Sequence, residues 1–330
     1  MAGHWWGITD LATGLEAFWL ALGVSANILT PILGLIAFGW WLKRRGELEH
    51  NLVMGLNQLV YRYALPGLLF FSITGSEVSI ASQWRVIASG YLGVLGLYFL
   101  ASWWAKGRYA SAADRGVFVQ GVFRGNLAII GLALCGAVYG DYGQTVGAIA
   151  AGSIALLLNI LAVFTLTQVD GQKLHWTVWL ARILRNPLVI AILAAAVVKM
   201  FSIPIPEMVQ RFGDYAIRVT LPLALLCIGA TFNPRGVLGA DRMAYSASAG
   251  RMFLSPLLFV VLGALFGLRG QDLGILFILG AAPAATAGYV MAKAMGGNDV
   301  AAANIIAITT AGSLVLMAPV IALFQVLGWI

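Results

Sequence analysis

Ten stretches of this sequence are each apolar enough to lie in a bilayer, and no other feature narrows the possible folds so far. A membrane-spanning helix needs about 20 predominantly apolar residues. The stretches cover 18–42, 52–74, 86–105, 116–139 and 145–167, then 187–200, 208–232, 244–267, 273–295 and 300–327. The sixth is short as drawn and is expected to begin near Leu180. In lipid every backbone N–H and C=O must be paired within the protein, so these stretches read as helices and the chain as an all-α membrane protein.

Composition supports this. Of 330 residues, 61% are hydrophobic and 10% charged, whereas soluble domains carry about a quarter charged residues. A net charge of +7 would suggest nucleic acid in a soluble chain, but here most of the basic residues sit in short loops. The partner this implies is the lipid bilayer, with no nucleic acid. Cys135 and Cys227 lie far apart inside apolar stretches and read as packing residues. The N-terminal segment, 1–17, lacks the basic residues of a cleaved signal peptide.

Loop charges predict orientation. The loops after stretches one, three, five and seven hold Lys43, Arg44 and Arg45; Lys106, Arg108 and Arg115; Lys173, Arg182 and Arg185; and Arg235 and Arg242. The alternate loops hold only Arg85, Lys199, Arg211 and Arg269. The first set is expected to face the cytoplasm, with both termini on the outer, periplasmic side of a bacterial inner membrane.

The sequence also matches itself. A shift of 156 places Pro31 on Pro187, Lys43 on Lys199, Arg62 on Arg218, Leu65 on Leu221 and Pro66 on Pro222. A shift of 160 places Ala151-Gly152-Ser153 on Ala311-Gly312-Ser313. The expected organisation is therefore ten transmembrane helices as a 5+5 inverted repeat. The first repeat is 18–167, a cytoplasmic linker covers 168–186, and the second repeat is 187–330. An odd number of spans per repeat inverts the second copy, as in secondary transporters, whose substrates bind near the midplane at interrupted helices.

Two interruptions stand at equivalent places, since a shift of 159 puts Arg124 on Pro283. Pro283 ends a helix by lacking an N–H and crowding the preceding turn. Gly125 admits conformations other residues resist, and the Asn126 side chain is expected to cap the helix that restarts. Two crossing breaks would aim half-helix N-termini at one point and make an anion site. Arg124 sits at that break; a mid-membrane arginine normally faces the interior or a wet cavity, and its planar fork suits a carboxylate. The competing reading of Arg124 is a structural clamp on backbone carbonyls.

Arg62 and Arg218 are also mid-helix; they either line the pathway or brace the kinks at Pro66 and Pro222. Arg251 and Lys293 read as structural or interfacial. All 13 acids fall in loops or near helix ends, and His4, His50 and His175 lie in terminal or loop segments. No cofactor or metal is implied, and neither a sodium nor a proton coupling is specified. Arginines without acids in the interior fit a small organic anion as substrate. No H-E-x-x-H or G-x-S-x-G occurs, so an enzyme is not expected. An anion channel and a non-transporting ligand sensor are the alternative functions.

The runs "NQLVYRYALPGLLF" (57–70), "FRGNLAIIGLAL" (123–134) and "APAATAGYVMA" (282–292) resemble the auxin efflux carrier family, plant exporters and bacterial organic-acid permeases alike. The resemblance covers nearly the whole chain. It implies a fold like that of bile acid/sodium symporters, with helices 1, 2, 6 and 7 as scaffold and helices 3–5 and 8–10 as a mobile core. It also implies crossed helices 4 and 9, elevator-type transport and a homodimer through the scaffold. By the same resemblance Asn126, Pro283, Ala284 and Thr286 bind the carboxylate, with Tyr289 nearby and Arg124 and Gly125 at the break. Plant members have proline where this chain has Arg124-Gly125, and their long cytoplasmic loop is missing here. The added charge bears on substrate choice or coupling, and the missing loop favours a bacterial-type metabolite over auxin.

Overall fold

The computed structural model describes residues 8–170 and 186–326. Residues 1–7 of the N-terminal segment, most of the linker with Lys173, His175, Arg182 and Arg185, and the expected start near Leu180 lie outside the described residues.

The described residues are helical, in the order α1 (Ile8–Arg44), α2 (His50–Leu59), α3 (Leu65–Thr74), α4 (Trp84–Lys106), α5 (Ala112–Phe123) and α6 (Leu132–Asp170). After the linker come α7 (Pro187–Met200), α8 (Glu207–Thr231), α9 (Arg235–Leu238), α10 (Arg242–Ala249), α11 (Ser255–Leu265), α12 (Gly270–Ala281), α13 (Ala287–Ala294) and α14 (Asp299–Val326). Among the described residues, six helical segments are long and apolar enough to cross a membrane. The chain is an integral membrane protein, and its apolar exterior fits: Trp103 and Leu265 are 75% and 77% exposed, which only a lipid solvent tolerates in quantity.

Local sequence explains the irregularities. Five-residue π turns at Val60–Ala64 and Gly250–Leu254 end just before Leu65-Pro66 and Ser255-Pro256. Proline offers no N–H and crowds the carbonyl four residues back, so the ladder widens by one residue there. Gly140 (φ 59°, ψ −143°) divides α6, at the gap the sequence leaves between 139 and 145. Helix starts carry side-chain caps: Asn186 accepts from Leu188 N at 2.9 Å, and Asp241 from Ala244 N at 2.8 Å.

Packing falls into two main apolar clusters. One, including Leu65, Leu68, Leu69, Leu188, Ala191 and Ala224, joins α3, α7 and α8. The larger one, including Val94, Leu97, Phe123, Leu127, Phe259, Leu276, Leu279 and Ile305, surrounds the interruptions. Helix α1 lies against α8 and α14. It touches α8 at two reciprocal glycines, since a Cβ on Gly39 would strike the Leu226 carbonyl and one on Gly229 the Ile36 carbonyl. At its end, and at that of α4, arginines lie over tryptophan rings: Arg44 on Trp40 at 4.4 Å, Arg45 on Trp41 at 4.5 Å and Arg108 on Trp104 at 4.3 Å.

Candidate functional site

Helix α5 stops at Phe123, and the chain resumes as a π turn at Leu127–Gly131. Helix α12 stops at Ala281, where Ala282 is extended (φ −54°, ψ 137°) as a residue before proline must be. The two gaps meet as an antiparallel bridge between Gly125 and Ala284. Asn126 N donates to Pro283 O at 2.7 Å, and Ala285 N donates to Arg124 O at 3.0 Å. These two bonds interchange under the 159-residue shift, since Asn126 and Arg124 map onto Ala285 and Pro283. The bridge satisfies backbone groups that would otherwise be orphaned in an apolar interior. Ala284 N finds a further partner in Thr309 Oγ1 at 3.1 Å.

Arg251 holds the bridge from one side. Fully buried, it donates from Nε to Ala282 O (2.8 Å), from Nη1 to Val122 O and Phe123 O (3.4 and 3.2 Å), and from Nη2 to Leu279 O and Gly280 O (3.3 and 2.8 Å). Its cation thus sits between the C-terminal, negative ends of α5 and α12. The structural reading of Arg251 from sequence holds, in the specific sense that it caps two helices at once.

Two local expectations are corrected. Gly125 is not among the glycines with positive φ; it is required by space, because a Cβ there would strike the Arg251 guanidinium. The Asn126 side chain does not cap the restarting helix. The Asn126 backbone carbonyl instead accepts from Gly131 N at 3.1 Å, a five-residue closure. A π turn opens the helix, so the α-type side-chain cap has no place to form.

Arg124 is 7% exposed. Its Nη2 donates to Asn159 Oδ1 at 2.9 Å and its Nη1 lies on Met291 Sδ. Among the described residues the one ion pair is Arg211–Glu207, so Arg124 has no carboxylate partner there. It lines a pocket of about 240 Å³, part of it open solvent, with Val117, Gln120, Gly121, Ala284, Ala285, Gly288, Tyr289, Ala302, Ile305 and Ile306.

Of the residues singled out from sequence, Arg124, Ala284 and Tyr289 line this pocket, while Gly125, Asn126, Pro283 and Ala284 build the bridge beside it. Thr286 stands at the start of α13 and does not line the pocket. Arg62 and Arg218 are exposed on the outside of the chain and are not brought to the crossing. Sequence reasoning missed Gln120, Asn159 and Thr309. Each is an uncharged polar residue in an apolar helix, and Gln120 stands one helical turn before Arg124, which was signal enough.

Two acid-centred hydrogen bonds tie the outer ends of the same helices. Asn298 Nδ2 donates to Asp114 Oδ1 at 2.8 Å, joining the α13–α14 turn to the start of α5. Tyr142 OH donates to Asp272 Oδ1 at 2.6 Å, joining the first turn after Gly140 to the start of α12. Among the described residues no group of three or more His, Cys, Asp and Glu comes together that could hold a metal.

Residues 25–174 and 172–321 match the model of a family described as membrane transport protein. The chain is also similar to the uncharacterized transporter YfdV of Escherichia coli strain K12, at 22% identity over 273 residues covering 80% of this chain and 86% of that protein. The YfdV proteins of Escherichia coli O157:H7 and Shigella flexneri match to the same extent.

Proposed function

The chain belongs to the auxin efflux carrier family of membrane transport proteins, and on that premise we propose that it is a secondary carrier of small organic anions, carboxylates above all. The observation that carries this reading is Arg124, a buried cation with no carboxylate partner among the described residues, beside a bridged double break. A buried guanidinium is costly unless a counter-charge arrives, and a carboxylate offers the bidentate match. Arg251 occupies the C-terminal helix ends, which leaves the N-terminal ends for the anion.

The mechanism proposed is elevator-type alternating access, in ten helices arranged as two inverted five-helix repeats. Scaffold helices 1, 2, 6 and 7 correspond to α1, α2–α3, α7 and α8, and the core to the remainder. Residues equivalent by the repeat touch each other at two places, Gly125 with Ala284 and Ala64 with Thr220, whose Oγ1 donates to the Ala64 carbonyl at 3.4 Å. Contacts between equivalents are what a pseudo-two-fold axis through both points requires. Ala284 and Tyr289 would meet the substrate in the pocket, with Asn126 and Pro283 in the bridge beside it and Thr286 at the start of α13. A homodimer through the scaffold would cover Arg62 and Arg218, whose charges are otherwise unsuited to lipid. The basic residues clustered at the ends of α1 and α4, Lys43, Arg44, Arg45, Lys106 and Arg108, favour a cytoplasmic position for those ends and outer-side termini in a bacterial inner membrane.

The test is uptake into proteoliposomes of short mono- and dicarboxylates, with and without proton and sodium gradients, and with Arg124→Ala alongside. Saturable uptake that is stimulated by substrate on the far side, and lost in the folded variant, supports a carrier. Unitary currents would indicate the channel, and binding without flux the sensor.

A further inference from the structure

We propose that Gln120 selects the substrate, and that the pocket takes a small monocarboxylate bearing a second, neutral acceptor such as a 2-hydroxy or 2-oxo group. The inference rests on the carrier reading and names the substrate class for that same pocket.

Gln120 lines the pocket and is 3% exposed, yet among the described residues no group accepts from its Nε2. Burying an amide donor without a partner is unfavourable, and such groups in folded proteins call for an explanation. Its Oε1 lies over Gly288, where a Cβ would come within 3.2 Å, so the opposite wall leaves room for this side chain. Gln120 and Arg124 are four residues apart on α5 and its immediate end, hence on one face. A ligand whose carboxylate meets Arg124 therefore presents its next substituent to the Gln120 amide.

The rest of the lining sets charge and size. Val117, Ala284, Ala302, Ile305 and Ile306 are apolar, and Arg124 is the only cation that lines the pocket among the described residues. Arg251 is committed to backbone carbonyls. Lys293 stands over the Tyr289 ring at 5.8 Å but is exposed and outside the lining. A second carboxylate held within this lining would find no cation to pair with there, which is unfavourable. The lining also leaves little free space between its side chains, which limits the acid to a few carbons.

The experiment measures KM in proteoliposomes for lactate, pyruvate, propionate, malonate and malate, with wild type, Gln120→Leu and Lys293→Ala, and follows thermal unfolding of each. Wild type should favour lactate or pyruvate over propionate by about tenfold, as a buried hydrogen bond is gained, and should handle malonate and malate least well. Gln120→Leu should erase the preference over propionate without lowering the unfolding temperature. Lys293→Ala should leave the order intact. A preference for malonate or malate would overturn the monocarboxylate assignment while the carrier reading stands. A lactate-to-propionate ratio unmoved in Gln120→Leu would remove Gln120 from selection. No uptake of any acid would sink both readings.

Discussion

Gly125 faces Ala284 across the bridge that joins the two interrupted helices, and the Arg251 guanidinium packs directly on the Gly125 Cα. The bridge and the cation are therefore one structure. Gly125→Ala should force Arg251 away from its carbonyls. Overpacking of this kind costs about 1–3 kcal/mol, and the loss of capping adds to it. Thermal unfolding in detergent should show the drop, and Arg251→Lys in the same background should relieve part of it by shortening the obstructing group.

Arg251→Met removes a cation that satisfies five backbone carbonyls, those of Val122, Phe123, Leu279, Gly280 and Ala282. Leaving several buried acceptors unpaired should cost at least about 3 kcal/mol. Arg251→Lys retains charge but has three donors on one atom, so it should recover only part of the loss. Equal stability of Met and Lys variants would show that packing, not capping, is the contribution of Arg251.

The positions of the two interruptions were legible because each carries a residue that cannot continue a helix in lipid at low cost, Arg124-Gly125 in one and Pro283 in the other. The function of Gly125 was not legible. Its neighbour Arg251 lies 126 positions away, and a steric requirement set by a distant side chain leaves no local pattern. The Asn126 cap failed for a similar reason, since the bridge to Pro283 draws its backbone N–H and shifts the first turn to π geometry. Gln120 was legible in principle: it is an uncharged polar residue in an apolar run, one turn from Arg124.

Gly39 and Gly229 set how closely α1 and α8 approach, each against a backbone carbonyl of the other helix. A carbonyl on a packed helix cannot move aside as a side-chain end can. Gly39→Leu and Gly229→Leu should each lower stability by about 1–3 kcal/mol, and the double variant should lose less than the sum because both open the same contact. Additive losses would show that the two contacts are independent.

The hydrogen bonds Asn298–Asp114 and Tyr142–Asp272 make a sharper test of how the protein moves. Each ties the start of one interrupted helix to the turn that follows the second half of the other. All four residues lie in the elements assigned to the core, so an elevator motion keeps both ties intact, whereas a motion that parts α5 from the α13–α14 turn must break the first. Joining Asp114→Cys to Asn298→Cys with a short thiol cross-linker should therefore leave transport within about twofold of the unlinked protein. Without the linker, the double variant should lose about 1 kcal/mol of stability for the missing hydrogen bond. Transport abolished by the linker and restored by a cleavable version would show that these elements separate in each cycle, and the core could not then be one rigid body.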